Sequence, residues 1–132
     1  MLSKIKIKNY ALINKLEVSF DKGFSSITGE TGAGKSIILG ALGLTLGQRV
    51  DTTVLKDTES KCIIETWFNI KNLNLNSFFS ENELDYEDET ILRREILPSG
   101  KSRAFVNDTP VSLLVLKSLS ENLIDVHSQH QT

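Results

Sequence analysis

Residues Gly29-Glu30-Thr31-Gly32-Ala33-Gly34-Lys35-Ser36 have the types and spacing of a phosphate-binding loop. They fit the pattern G-x-x-x-x-G-K-[ST] at every fixed position. Glycines let the backbone turn tightly enough for successive N–H groups to converge on an anion. A helix beginning near Gly34 adds the partial positive charge of its N-terminus. Lys35 is then placed to reach β- and γ-phosphates as a point charge. The Ser36 hydroxyl suits Mg2+, which takes few protein oxygens and completes its shell with phosphate and water. The Glu30 carboxylate would repel phosphate, so its useful group is its backbone N–H. The expected ligands are ATP and Mg2+.

The alternative is a glycine-rich turn that matches by chance. The flanking pattern argues against it, because an apolar strand over 24–28 leads in and an apolar helix over 36–46 leads out. In that helix Ile37, Ile38, Ala41, Leu42, Thr45 and Leu46 form a broad apolar face, and Gly47 is a natural C-terminal stop. Gly40 and Gly43 weaken it by about 1 kcal/mol each relative to alanine, which suggests close packing on a sheet.

Other elements must carry this unit. Ile5 and Ile7 alternate with Lys4, Lys6 and Lys8, and Leu16, Val18 and Phe20 alternate with Lys15, Glu17 and Ser19. Both read as half-buried strands, and the short 9–14 link makes them a close pair. Residues 62–70 are rich in β-branched and aromatic types and read as a strand. Residues 74–82 form a short helix and 81–89 an acidic solvated loop. Strands over 90–97 and 102–106 flank the turn Pro98-Ser99-Gly100-Lys101, and Asn107-Asp108 is a second turn. Residues 112–119 read as a helix with Ser112 as N-cap. Residues 123–126 are a short apolar strand-like run leading to His127, Gln129 and His130.

At 132 residues with 39% hydrophobic and 24% charged residues, the chain has an ordinary globular balance, which excludes a disordered tail or a coiled-coil rod. No apolar run approaches the ~20 residues of a membrane span, and no signal peptide is visible. One cysteine, Cys62, can form neither an internal disulfide nor a metal cluster and fits a reducing cytoplasm. The net charge of −2 divides unevenly: residues 1–49 hold seven Lys/Arg against three Asp/Glu, residues 50–132 eight against fourteen. The basic part suits an anionic ligand, while the acidic part argues against a general nucleic-acid clamp.

The segments IKIKNYALI (5–13), LEVSF (16–20), ITGETGAGKS (27–36), ALGL (41–44) and GQRVD (47–51), then GKSRAFVN (100–107) and IDVHSQH (124–130), resemble the N-terminus of the RecN family of bacterial DNA repair ATPases, within the SMC-like group. The resemblance spans nearly the whole chain and is least diagnostic over 55–90. It implies an α/β, P-loop NTPase fold: the first lobe of an ABC/SMC-type head, with an antiparallel β portion beside the P-loop core, over residues 1–132. In such proteins a long coiled coil separates this lobe from a C-terminal lobe, and two heads sandwich two ATP molecules. The resemblance therefore implies as partners the C-terminal lobe of the same protein, a second head and DNA, with no membrane, in a cytoplasmic, nucleoid-associated setting.

By position the resemblance makes Gln129 the Q-loop glutamine, a ligand of Mg2+ and neighbour of the attacking water. Arg49 falls where related heads place an arginine near nucleotide phosphate; a solvated arginine is the alternative. Tyr10 could stack on adenine or belong to the core. Lys101 and Arg103 could meet DNA phosphate or a partner head, or be plain surface charge. His127 and His130 lack acidic partners for a metal site.

The sequence holds no apolar strand running into Asp-Glu and no LSGG-like segment; Asp88-Glu89 sits in the acidic run and Lys117-Ser118-Leu119-Ser120-Glu121 is a helix piece. Turnover therefore needs groups from elsewhere, and the chain alone is expected to lack substantial hydrolysis. Rival readings are another SMC-like or RecF-like head, a self-contained P-loop kinase or GTPase, and a non-enzymatic anion-binding module.

Overall fold

The computed structural model describes residues 1–20, 32–50 and 54–128, with side chains over 1–20, 34–50 and 54–123. Its described strands are β1 (Leu2–Tyr10), β2 (Ile13–Ser19), β3 (Cys62–Asn69), β4 (Glu89–Ile96), β5 (Ser102–Val106) and β6 (Thr109–Val111). They form one antiparallel sheet in the order β2-β1-β3-β4-β5-β6. The described helices are α1 (Gly32–Thr45), α2 (Asn76–Glu81) and α3 (Leu113–Ser128).

Period-two alternation decides the two faces of the sheet. Ile5 and Ile7 of β1, Cys62, Ile64, Thr66 and Phe68 of β3, and Leu92 and Ile96 of β4 are buried on the face that α1 covers. Lys4, Lys6, Lys8, Glu65, Arg93 and Arg103 take the alternate positions. The helix answers with Ile38, Ala41, Leu42 and Leu44, all buried. Each such side chain contributes about 1.5–3 kcal/mol on leaving water. Thr45 is also buried in this layer: its hydroxyl donates to the Leu42 carbonyl at 2.8 Å and accepts from the Thr66 hydroxyl at 3.0 Å.

Gly47 ends α1 as its sequence predicts. It has φ +100°, and the Gly47 and Gln48 N–H groups donate back to Leu44 O (3.2 Å) and Gly43 O (3.1 Å). This is a Schellman closure. A Cβ on Gly47 would lie 2.6 Å from Lys117 Cγ, so the same glycine lets α3 approach.

Arg94 of β4 shares the buried face with Leu92 and Ile96 and is 1% exposed. Its Nη1 donates to Leu44 O and Gln48 O, both at 2.8 Å, and its Nη2 to Ser102 Oγ at 3.1 Å. α1 carries no basic residue in its own last turn. Arg94 supplies the positive charge that the carbonyl end of the helix dipole favours. Its Nε has no partner among the described residues, and burial pulls its pKa below the ordinary guanidinium value.

Several expectations meet the structure closely. The β1–β2 pair, the 62–70 and 90–97 strands and the short 74–82 helix all form, and Ser112 Oγ accepts from the Val115 N–H at 3.2 Å as an N-cap. Asn107 and Asp108, with φ of 47° and 68°, make the two-residue β5–β6 turn. Others need correction. α1 begins at Gly32, two residues before the start expected near Gly34 and four before the apolar stretch read from 36, so the second half of the glycine loop is already helical. Residues 123–126 are not a strand but the continuation of α3, because Leu116, Leu119 and Leu123 keep one helical face buried. Strand β6 was not expected; three residues with one proline carry little pattern. The strand expected over 24–28 lies outside the described residues, and α1 packs directly on the antiparallel sheet.

Replacing Arg94 with alanine should lower the unfolding free energy by about 3 kcal/mol, since charge-assisted bonds to two helix-end carbonyls are lost. Arg94→Lys should recover less than half, because one ammonium lacks the fork. Urea denaturation reads both, and an alanine variant as stable as the parent would remove the clamp from the account.

Cys62 is fully buried, and burial pushes its thiol from 9.0 up to about 12. The unfolded chain loses this proton near pH 9 while the folded chain holds it. The Cys62 contribution is therefore intact below pH 9 and falls away as pH rises from about 9 to about 12. A Cys62→Ala variant should show a shallower alkaline loss of stability than the parent over that window. Superimposable pH profiles of the two proteins would contradict this.

Candidate nucleotide site

The described part of the site is the first turn of α1. Gly32 and Ala33 are helical, Gly34 and Lys35 are half-buried and Ser36 is exposed. That turn contains Lys35 and no acidic residue. A lysine at the positive end of a helix dipole is unfavourable unless an anion sits between them. Among the described residues Lys35 makes no ion pair. The first turn of α1 thus combines a lysine with the positive end of the helix dipole. Gly29, Glu30 and Thr31 lie outside the described residues, as does Gln129.

Other candidate residues fall into place around this end or away from it. Arg49 is exposed and follows the carbonyl end of α1, a helix about 20 Å long at 1.5 Å per residue. The structure does not bring it together with Lys35 and Ser36. Tyr10 is half-buried against the core, and its hydroxyl lies 2.6 Å from where a Cβ on Gly40 would be. Gly40 therefore serves close packing, here against the end of β1, and desolvation raises the Tyr10 pKa, with the nearby Cys62 adding to it. Gly43 does not face the sheet: a Cβ there would meet Gln48 Cδ at 2.7 Å, within the helix cap. Arg103 lies 3.6 Å from Glu95, which also pairs with Lys61 and Arg93, while Lys101 is exposed. His127 lies in α3 and His130 outside the described residues. No group of three potential metal ligands occurs among the described residues.

The residue that sequence reasoning missed is Arg94. Its signal was its phase: Leu92, Arg94 and Ile96 share one parity in a strand whose other parity holds Arg93 and Glu95. A charge in the apolar phase requires a buried partner.

Residues 4–107 match the family model described as AAA domain. The chain belongs to that family, and its fold is that of SMC and RecF ATPase heads. A Pyrococcus yayanosii Smc head domain superposes with a TM-score of 0.68 over 92% of this chain and 25% of that one, at 20% identity. An SMC ATPase studied for ATP-driven dimerization and DNA-stimulated activation gives 0.69 over 93% and 79%, at 22% identity. The recombination mediator RecF with ATP gives 0.58 over 85% and 28%, at 16%.

In sequence the chain is similar to the DNA repair protein RecN of Vibrio cholerae, 44% identical over 98% of this chain, and to that of Bacillus subtilis, 39% identical over 98%. It spans about a quarter of the length of these relatives (24% and 23%). No helix among the described residues is long and apolar enough to cross a membrane.

The Tyr10–Gly40 contact is open to a double-mutant cycle. Gly40→Ala should gain no stability in the parent, because its Cβ meets the tyrosine hydroxyl. In a Tyr10→Phe background the same change should stabilise by about 1 kcal/mol, the helix propensity difference. Equal effects in both backgrounds, by thermal or urea unfolding, would mean the hydroxyl is not what limits position 40.

Proposed function

We propose that this chain is the N-terminal, ATP-binding lobe of a divided ATPase head in a RecN-like protein of DNA double-strand break repair and recombination. The observation that carries the reading is Lys35 in an acid-free first turn of α1, within a complete phosphate-loop sequence. The loop backbone from Gly29 to Gly34 would cradle the phosphates, Lys35 would hold their outer oxygens, and Ser36 with Gln129 would supply oxygens to Mg2+. That ion would balance phosphate charge; positioning falls to the protein groups. Arg49, at the far end of α1, would face other parts of the assembly and not this lobe's own nucleotide.

Turnover would need an acidic pair and a signature segment that these 132 residues do not contain. They would come from the C-terminal lobe and from a second head, so that ATP binding controls head engagement and through it DNA association at the bacterial nucleoid. The 44% identity to a RecN, against 22% or less to SMC and RecF structures, supports RecN over its SMC-like and RecF-like rivals.

Lys35→Ala should weaken ATP binding at least tenfold, about 1.4 kcal/mol, by titration calorimetry; unchanged affinity would sink the nucleotide assignment. Gln129→Ala in the full-length protein should leave ATP affinity nearly intact while lowering kcat. Sulfate competing as well as ATP would favour a plain anion-binding module instead.

A further inference from the structure

Among the described residues, α1 covers only one face of the sheet. The opposite face carries the cations of the basic N-terminal part, and the structure sorts them into two groups. Lys4 lies 3.7 Å from Glu17 and 4.3 Å from the Trp67 ring. Lys61, Arg93 and Arg103 gather within 3.2–3.6 Å of the Glu95 carboxylate. Those four each lie against a carboxylate.

Lys8 and Lys15 do not, while Lys6 stands in register between Glu17 and Glu65. None makes an ion pair or side-chain hydrogen bond among the described residues. Lys8 and Lys15 are direct cross-strand partners on β1 and β2, an arrangement that costs stability unless an anion lies between them. Lys6 stands one pleat away, about 7 Å along β1. Together with Ile7, Ile63 and Glu65 the three line a shallow hollow of about 240 Å³. Glu65 offsets one charge, which leaves the hollow with an excess of two positive charges.

We propose that this hollow on the open sheet face binds the phosphate backbone of duplex DNA. The inference rests on the DNA-repair reading above for its choice of polyanion, and on the uncompensated lysines for its place. An open, shallow surface with spaced ammonium groups suits a continuous line of phosphates, one charge per about 1.7 Å of duplex, better than a single nucleotide that needs enclosure. Because α1 covers the other face, DNA here would not occupy the nucleotide site.

The test uses full-length protein and a fluorescently labelled duplex, with anisotropy followed over a salt series. Replacing Lys6, Lys8 and Lys15 together with glutamine should weaken binding and reduce the slope of log affinity against log salt by about 2–3. ATP affinity should not change, and the melting temperature should hold or rise as the Lys8–Lys15 repulsion is removed. The triple arginine variant should bind as the parent does, and Lys71→Gln, elsewhere on the surface, should have no effect.

A glutamine variant with parental affinity and slope would overturn the proposal, as would polyglutamate competing as well as DNA, which would indicate an acidic protein partner. Should the triple variant melt early, Lys8→Gln alone at parental stability must still lower the slope by about 1, and no change would overturn the proposal. Lysine-dependent DNA binding by a protein without ATP affinity would sustain this inference and refute the ATP-head reading.

Discussion

A buried arginine cannot be left without acceptors, and in this molecule that demand ties the main helix to the sheet. Arg94 enters the apolar layer from the middle of β4 and finds its partners at the carbonyl end of α1 and at Ser102 of β5. One side chain thereby binds three elements that lie far apart in sequence. The Schellman turn at Gly47 is what presents Leu44 O and Gln48 O side by side. Packing of Ile38, Ala41 and Leu42 holds the body of the helix, but apolar contacts alone tolerate sliding. Two directional bonds at one end set its axial position. The far end, with Gly34, Lys35 and Ser36, inherits that position.

The two ends of α1 are therefore electrostatic complements of different kinds. The carbonyl end has its cation built in, from a neighbouring strand. The N–H end carries a lysine of the wrong sign for its own dipole. One terminus is thus closed by the chain's own groups, while the other carries Lys35, the residue that the phosphate-loop reading assigns to an anion. The sheet face opposite α1 repeats the contrast: Glu95 and Glu17 pair one set of cations, while Lys8 and Lys15 have no carboxylate partner among the described residues.

Much of this was legible beforehand where a residue's role is local. The phosphate loop is a matter of spacing, Gly47 of backbone conformation, Ser112 of a cap, and β1 to β5 of parity. Errors arose where local pattern is ambiguous. Residues 123–126 are too few to separate helix from strand, and only the buried face shared with Leu116 and Leu119 shows that α3 continues. The α1 start at Gly32 was misplaced because glycine is a poor helix former, yet the first turn bonds only forward and tolerates it. Gly40 and Gly43 looked alike in sequence, but one makes room for Tyr10 and the other for Gln48.

Sequence alone determined the chemistry on offer: a phosphate-binding loop, an excess of lysine before residue 50, a single inert cysteine and the two-sided strands. These follow from side-chain type and from periods of two and 3.6, which act over a few residues. Tertiary structure alone decided which groups meet. It placed Arg94 on the α1 terminus, set Arg49 at the opposite end from Lys35, and drew Lys6, Lys8 and Lys15 to one hollow while pairing Lys4, Arg93 and Arg103 with carboxylates. Such contacts depend on strand order and register, which join residues tens of positions apart, and no local pattern encodes them.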